Sequence, residues 1–279
     1  MQLNFLNPYK SPALDLRSLY LRKLIIRAFE GGMRGHLGSS MSLVEIMRVL
    51  YDDFLMYKTK DPEWVDRDRF ILSKGHGCLA QYVLLADKGF ISLDDLDKFC
   101  HHDGILGGHP EKSKVSGVEF STGALGHGLP VGVGMAVAAK INNKKHKIIV
   151  VTGDGETNEG SIWEAALSAS QNKLDNFVWI IDYNKFQSYG QTKDVIQLEP
   201  LDQKIKSFGF NLIEVDGHNI EMIENALKTF SYNSSKPNAI ICHTVKGKGF
   251  PFAEHNEDWH HKSNLKPEEL NAMYNCLEL

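Results

Sequence analysis

Apolar residues at Leu16, Leu19, Leu24 and Ile25 recur at near-helical spacing ahead of Gly31-Gly32, which predicts a helix over 14–30; a second helix is expected over 43–54. Beyond them the pattern shortens. The runs 69–73, 147–152, 177–182, 211–215 and 239–244 are β-rich and mostly apolar without alternation, so they read as strands covered on both faces. Helices are expected between them over 129–140, 160–171, 202–208 and 220–230. This alternation predicts an α/β fold, a doubly wound and mostly parallel sheet with helices on both faces. With no internal repeat, charge block or Pro- and Ser-rich linker, residues 1–279 are expected to form a single domain.

In such sheets ligands bind beyond the carboxyl ends of the strands. Four expected strand ends lead straight into chemically equipped turns: Ser73 into Lys74-Gly75-His76-Gly77, Thr152 into Gly153-Asp154-Gly155, Asp182 into Tyr183-Asn184, and Thr244 into Val245-Lys246-Gly247-Lys248-Gly249. The segment 97–120, rich in histidine and glycine, is expected to lie over the same crevice as an ordered functional loop.

Composition removes several functions. At 42% hydrophobic and 24% charged, the 279 residues do not describe a disordered tail. A net charge of -4 supplies no field to draw the chain onto nucleic acid or anionic lipid, so any phosphate is held locally. No apolar run reaches the ~18 residues of a membrane span. The start, Met1-Gln2-Leu3-Asn4, lacks the basic and apolar regions of a secretory signal, and a soluble, cytoplasmic protein with no nucleic-acid or membrane partner is expected. Cys78, Cys100, Cys242 and Cys276 form no C-x-x-C pair and are expected to be buried thiols.

Gly153-Asp154-Gly155 follows one expected strand, and Asn184 ends the next. A carboxylate and an amide oxygen at neighbouring strand tips can share one small hard cation and leave positions open for phosphate oxygens, as Mg²⁺ prefers. The flanking glycines let backbone N–H groups close on an anion, and the following helix presents its positive end to it. Gly-Asp-Gly alone reads equally well as a capped strand-end turn. A nicotinamide site at Gly75-His76-Gly77-Cys78-Leu79-Ala80 is disfavoured, because no acidic strand end follows about twenty residues on. Walker loop, G-x-S-x-G elbow and H-E-x-x-H are all missing from the sequence.

The pairing of Gly153-Asp154-Gly155 with Asn184 resembles the thiamine diphosphate signature. Segments 153–167, 177–184, 198–217 and 244–262 extend the match. So do Gly35-His36-Leu37-Gly38-Ser39-Ser40, Leu72-Ser73-Lys74-Gly75-His76, Gly107-Gly108-His109-Pro110 and Ser121-Thr122-Gly123-Ala124-Leu125-Gly126. Together they are similar to the amino-terminal subunit of a split transketolase over nearly the whole chain.

The resemblance implies thiamine diphosphate and Mg²⁺ (Mg2+) as cofactors, with Asp154, Asn184 and the backbone carbonyl of Phe186 as metal ligands. It implies that Gly153, the Gly155 N–H and His76 serve the diphosphate, with Gly123 and Leu125 beside the cofactor rings. His260 would lie between the diphosphate and the reacting centre, and His36 and His109 would face the sugar's hydroxyl and carbonyl oxygens. Glu159 matches a carboxylate buried where two cofactor domains meet. His101, His102, His127, His255 and His261 fall outside this set. His127, Tyr183 and Ser39-Ser40 depart from the residues the family usually carries there, which bears on the substrate more than on the cofactor.

The implied activity moves a two-carbon ketol unit from a ketose, expected to be phosphorylated, to an aldose. In the family, the glutamate that activates the pyrimidine ring comes from another domain, and no carboxylate here matches it. A separate C-terminal transketolase-like subunit is therefore expected to complete the site, in a heterotetramer. Alternatives are another thiamine diphosphate enzyme subunit (deoxyxylulose-phosphate-synthase-like, or a 2-oxo acid dehydrogenase alpha chain) or a non-catalytic binding subunit of the same fold. The Gly107-Gly108-His109-Pro110 loop, and Lys246-Gly247-Lys248-Gly249 followed by Trp259-His260, favour the transketolase.

Overall fold

A computed structural model describes residues 7–277. The Asp15 carboxylate opens α1 (Leu16–Gly32) by accepting the Ser18 N–H at 2.8 Å, and Met33, at φ 51°, closes it. Gly31 and Gly32 therefore lie inside the helix they were expected to end. A Cβ on Gly31 would stand 2.4 Å from the Asp97 carbonyl oxygen, so this glycine serves close packing against the 3₁₀ turn Leu93–Lys98.

After β1 (Arg34–Gly35) come α2 (Leu37–Met41) and α3 (Val44–Val49), which runs into a π-type turn, Leu50–Phe54. Then follow β2 (Arg69–Leu72), α4 (Cys78–Asp87), α5 (Gly128–Ile141), β3 (Ile148–Gly153), α6 (Gly160–Gln171) and β4 (Phe177–Tyr183). The chain continues through α7 (Thr192–Val195), α8 (Leu201–Ser207), β5 (Asn211–Asp216), α9 (Ile220–Thr229), β6 (Asn238–His243), β7 (Lys262–Ser263) and α10 (Pro267–Asn275).

The expected α/β fold is present: five strands form one wholly parallel sheet in the order β2-β3-β4-β6-β5. Strand residues point alternately to its two faces. Ile148, Val150, Trp179 and Ile181 join the core formed with α5, α6 and α8, while Ile149, Val151, Val178 and Ile180 join the one formed with α1, α3, α4 and α9. Apolar runs without alternation follow from that double coverage. Helix α4 was not expected from the pattern, because every residue from Cys78 to Ala86 is buried and no polar stripe marks its period.

Register fixes the site. Gly153 pairs with Asp182 and Asp182 with Cys242, so β3, β4 and β6 end level with one another. Separately, β1 pairs antiparallel with β7, tying the end of α1 to the loop after β6. Residues 99–127 contain neither helix nor strand. Cys78 and Cys242 are buried as expected, but Cys100 is half-buried and Cys276 exposed, the latter because it caps the outer helix α10. No helix among the described residues is long and apolar enough to cross a membrane.

Candidate active site

The neighbouring tips of β3 and β4 carry two buried carboxylates in unlike surroundings. Asp182 receives the Lys74 ammonium at 2.5 Å, the Ser42 hydroxyl at 2.7 Å and the Thr244 hydroxyl. Burial works against its ionisation, but Lys74 and these donors outweigh it and hold the carboxyl below its ordinary pKa. Asp154 has no ion pair among the described residues; its Oδ1 accepts the Gly155 N–H at 2.8 Å and its Oδ2 the Lys185 N–H. Burial, and then the negative field of Asp182, raise its pKa to about 6. A buried carboxylate with no direct ion-pair partner among the described residues is a place for a cation.

Asn184 turns its Oδ1 to the Phe186 N–H at 3.0 Å, and the Phe186 carbonyl accepts from Lys246 Nζ at 3.3 Å. Each oxygen keeps a second lone pair. Carboxylate, amide and carbonyl oxygens form a hard donor set suited to Mg²⁺. Glu156 braces the turn from below, accepting from the Ser73 hydroxyl, the Gly126 N–H at 2.9 Å and the Gly153 N–H at 3.2 Å.

A cavity of about 250 Å³ opens here, lined by His76, Leu125, Gly153, Asp154, Gly155, Glu159, Asn184, Phe186, Gln187 and His260. His260 Nδ1 and Gln187 Nε2 are buried without a hydrogen-bond partner. Buried polar atoms are rarely left so, and together with the oxygen set these two fit a metal-bound diphosphate.

Five histidines from four chain segments gather at and beside this cavity, His76 and His260 in its lining and His36, His109 and His261 next to them. The His36 ring centre lies 5.4 Å from His76, 6.2 Å from His109, 5.5 Å from His260 and 4.7 Å from His261, and His76 lies 5.9 Å from His260. Burial first, then the positive fields of Lys246 and His36, push His260 down to about 3. Burial, followed by His261 and His109, lowers His36 to about 4. His76 falls well below its ordinary value and His109 below, both by burial. Near pH 7 His36, His76, His109 and His260 are neutral, each with one N–H to donate and one lone pair to accept, which suits proton exchange with hydroxyl and carbonyl oxygens.

The His109 loop is held by the Tyr82 hydroxyl, which lies 3.0 Å from the Gly107 carbonyl and 2.9 Å from the His109 carbonyl. Gly123, at φ 151°, lets the His109 ring lie against the backbone; a Cβ there would stand 3.2 Å from it.

Residues 17–278 match the family described as "Transketolase, thiamine diphosphate binding domain". The chain belongs to the transketolase family. It is 45% identical over 260 residues to an apulose-4-phosphate transketolase subunit of Actinobacillus succinogenes, covering 92% of this chain and 94% of that protein. It is 38% identical over 234 residues to a 6-deoxy-6-sulfo-D-fructose transketolase subunit of Clostridium sp., covering 84% of this chain and 85% of the relative. Among solved structures, transketolase from Leishmania mexicana superposes with a TM-score of 0.87 at 32% identity, over 96% of this chain and 42% of that one. The chain thus spans nearly the whole of the subunit relatives and less than half of the solved transketolase.

Within this transketolase chain the expected residues fall into two neighbouring groups. Asp154, Asn184 and Phe186 meet at the strand tips, and His36, His76, His109 and His260 converge beside them. Gly155 spends its N–H on Asp154 Oδ1. Glu159 is exposed, and its carboxylate makes no cap at the start of α6.

Sequence reasoning passed over Asp182, Glu156 and His261. The signal for Asp182 was there to read: a charged residue ending the apolar run Phe177-Val178-Trp179-Ile180-Ile181 must find a buried cation, and Lys74 stands at the end of another strand. His261 carried no such signal, since its place depends on β7 pairing with β1. His127, exposed at the start of α5, lies 2.9 Å by Nδ1 from the Leu125 carbonyl.

Proposed function

We propose that the chain, as one diphosphate-binding domain, is part of a two-chain transketolase that moves a two-carbon ketol unit from a phosphorylated ketose to an aldose. The observation that carries this reading is the meeting of the Asp154–Asn184 strand tips with the neutral histidines His76 and His260 in one cavity. Thiamine diphosphate supplies the electron sink for cleaving the carbon–carbon bond beside a carbonyl. Asp154, Asn184 and the Phe186 carbonyl hold Mg²⁺, and His76 hydrogen-bonds the diphosphate. His260, with Nδ1 unpartnered and Nε2 2.9 Å from the Ser188 hydroxyl, stands between that end and the sugar. His36 and His109 hydrogen-bond the sugar's oxygens and exchange protons with them, roles worth about 10²–10⁴-fold each.

A partner subunit supplies the activating glutamate and covers Glu159, and the assembly is a heterotetramer. The relatives' names support an anionic sugar, one a phosphate and one a sulfonate, and both relatives are named as subunits. A cytoplasmic location accords with four free thiols. A ketose-to-aldose assay of the chain with its partner, run beside a 2-oxo acid decarboxylation assay, tests the activity. Ketol transfer in the first alone is expected. Decarboxylation without transfer would overturn the reading, and turnover by this chain at a rate unchanged by any second protein would remove the partner.

A further inference from the structure

A second, larger cavity of about 490 Å³ adjoins the histidine cluster and shares His36 and His109 with it. Its lining includes Arg34, His101, His102 and Lys114, and no Asp or Glu among the described residues. The chain has seven arginines. Six of them meet a carboxylate within salt-bridge distance. Arg34 alone makes no ion pair or side-chain hydrogen bond among the described residues. Lys114, by contrast, is already matched by Glu111 at 3.0 Å.

The position of Arg34 is fixed even though its head is free. Its backbone pairs with Ser263, and the adjacent Gly35 pairs with Lys262, joining the end of α1 to the loop that carries His260 and His261. His101 Nε2 lies 2.9 Å from the Gly31 carbonyl, which anchors the facing loop to the same helix. A guanidinium without an ion-pair partner, on a strand held by β7 and lining a cavity with no carboxylate among the described residues, is suited to bidentate recognition of a tetrahedral oxyanion. His36, His76, His109 and His260 are neutral at pH 7 and cannot supply that fixed charge.

We propose that Arg34, in the cavity that His101, His102 and Lys114 also line, binds the phosphate or sulfonate at the end of the sugar chain remote from the carbonyl. Arg34 thereby selects anionic sugars for this enzyme. The proposal rests on the transketolase reading, since it takes the sugar's reacting end to lie at His36 and His109.

Its test compares Arg34→Gln and Arg34→Lys with the unaltered two-chain enzyme, using phosphorylated and unphosphorylated forms of the same ketose and of the same aldose. The ratio of kcat/KM for phosphorylated over unphosphorylated sugar is expected to fall about 10–100-fold in Arg34→Gln. Arg34→Lys should recover part of the loss, as a point charge without the fork. An unchanged ratio, or an equal fall for both forms, would overturn the proposal; the arm in which the ratio falls tells whether the donor or the acceptor is held.

Calorimetric titration of the assembled protein with inorganic phosphate gives a second readout that needs no turnover. Weaker phosphate binding in Arg34→Gln supports the site even if no ketose is turned over, and unchanged binding contradicts it. Failure of the transketolase reading is thereby distinguishable from failure of the anion site.

Discussion

Asp154 and Asp182 stand on neighbouring strand tips and differ in one respect that decides their chemistry: Lys74 bonds Asp182, while Asp154 makes no ion pair among the described residues. Because the Asp154 pKa is about 6 and a metal ligand must be ionised, Mg²⁺-dependent cofactor binding should be flat above pH 6 and weaken about tenfold per pH unit below it. Calorimetry at pH 5 in two buffers of unlike ionisation heat should register release of about one proton on binding, and no release would place the metal elsewhere. His109 is exposed toward the larger cavity, so His109→Ala should keep cofactor affinity and lower kcat by about 10²–10³-fold, as for loss of one preorganised donor. Equal losses of affinity and kcat would merge the two roles. At this scale the sequence was legible where a residue type announces its chemistry, as in Gly153-Asp154-Gly155 and Asn184. It was not legible for Arg34, whose significance lies in a carboxylate it does not have.

The elements place these groups through buried supports. Arg22 of α1 and Glu45 of α3 are both fully enclosed, with Nη1–Oε1 at 2.6 Å and Nη2–Oε2 at 3.0 Å, and His218 Nδ1 lies 2.8 Å from the same carboxylate. The cluster grips the loop after β6, since Arg22 Nε donates to the Lys248 carbonyl at 3.0 Å and the Val245 N–H to His218 Nε2 at 2.8 Å. That loop delivers Lys246 to the Phe186 carbonyl. Glu45→Ala leaves the guanidinium buried and unpaired, and should cost about 3–5 kcal/mol, read as a lowered denaturant midpoint at unchanged slope. A cost near zero would show that water or another side chain satisfies Arg22. Strands and long amphipathic helices were readable from apolar spacing, whereas α4 and the pairing of β1 with β7 were not. The first is buried all round, and the second joins residues more than two hundred positions apart.

For the whole molecule, the histidine cluster couples stability to acid. His36 and His260 titrate near 4 and 3 when folded and near 6.5 when unfolded, so the unfolded chain binds more protons between those values. Their contribution is complete above pH 6.5 and is lost as pH falls toward 4, with a slope of up to about 1.4 kcal/mol per unit for each ring. Urea midpoints measured from pH 7 to 4 should fall more steeply for the unaltered chain than for His36→Gln, and parallel lines would show that the ring is solvated. The exposed Glu159 and the free Arg34 head both face outward from this chain, one at the cofactor cavity and one at the larger cavity, as expected of a site shared with a second chain. In the proposed function, a divalent ion at Asp154, Asn184 and Phe186 holds the diphosphate. Calorimetric titration of thiamine diphosphate into the two-chain protein, with and without Mg²⁺, tests it most directly. Binding should require Mg²⁺, vanish in Asp154→Ala and persist in His109→Ala; binding that survives Asp154→Ala in the presence of Mg²⁺ would contradict it.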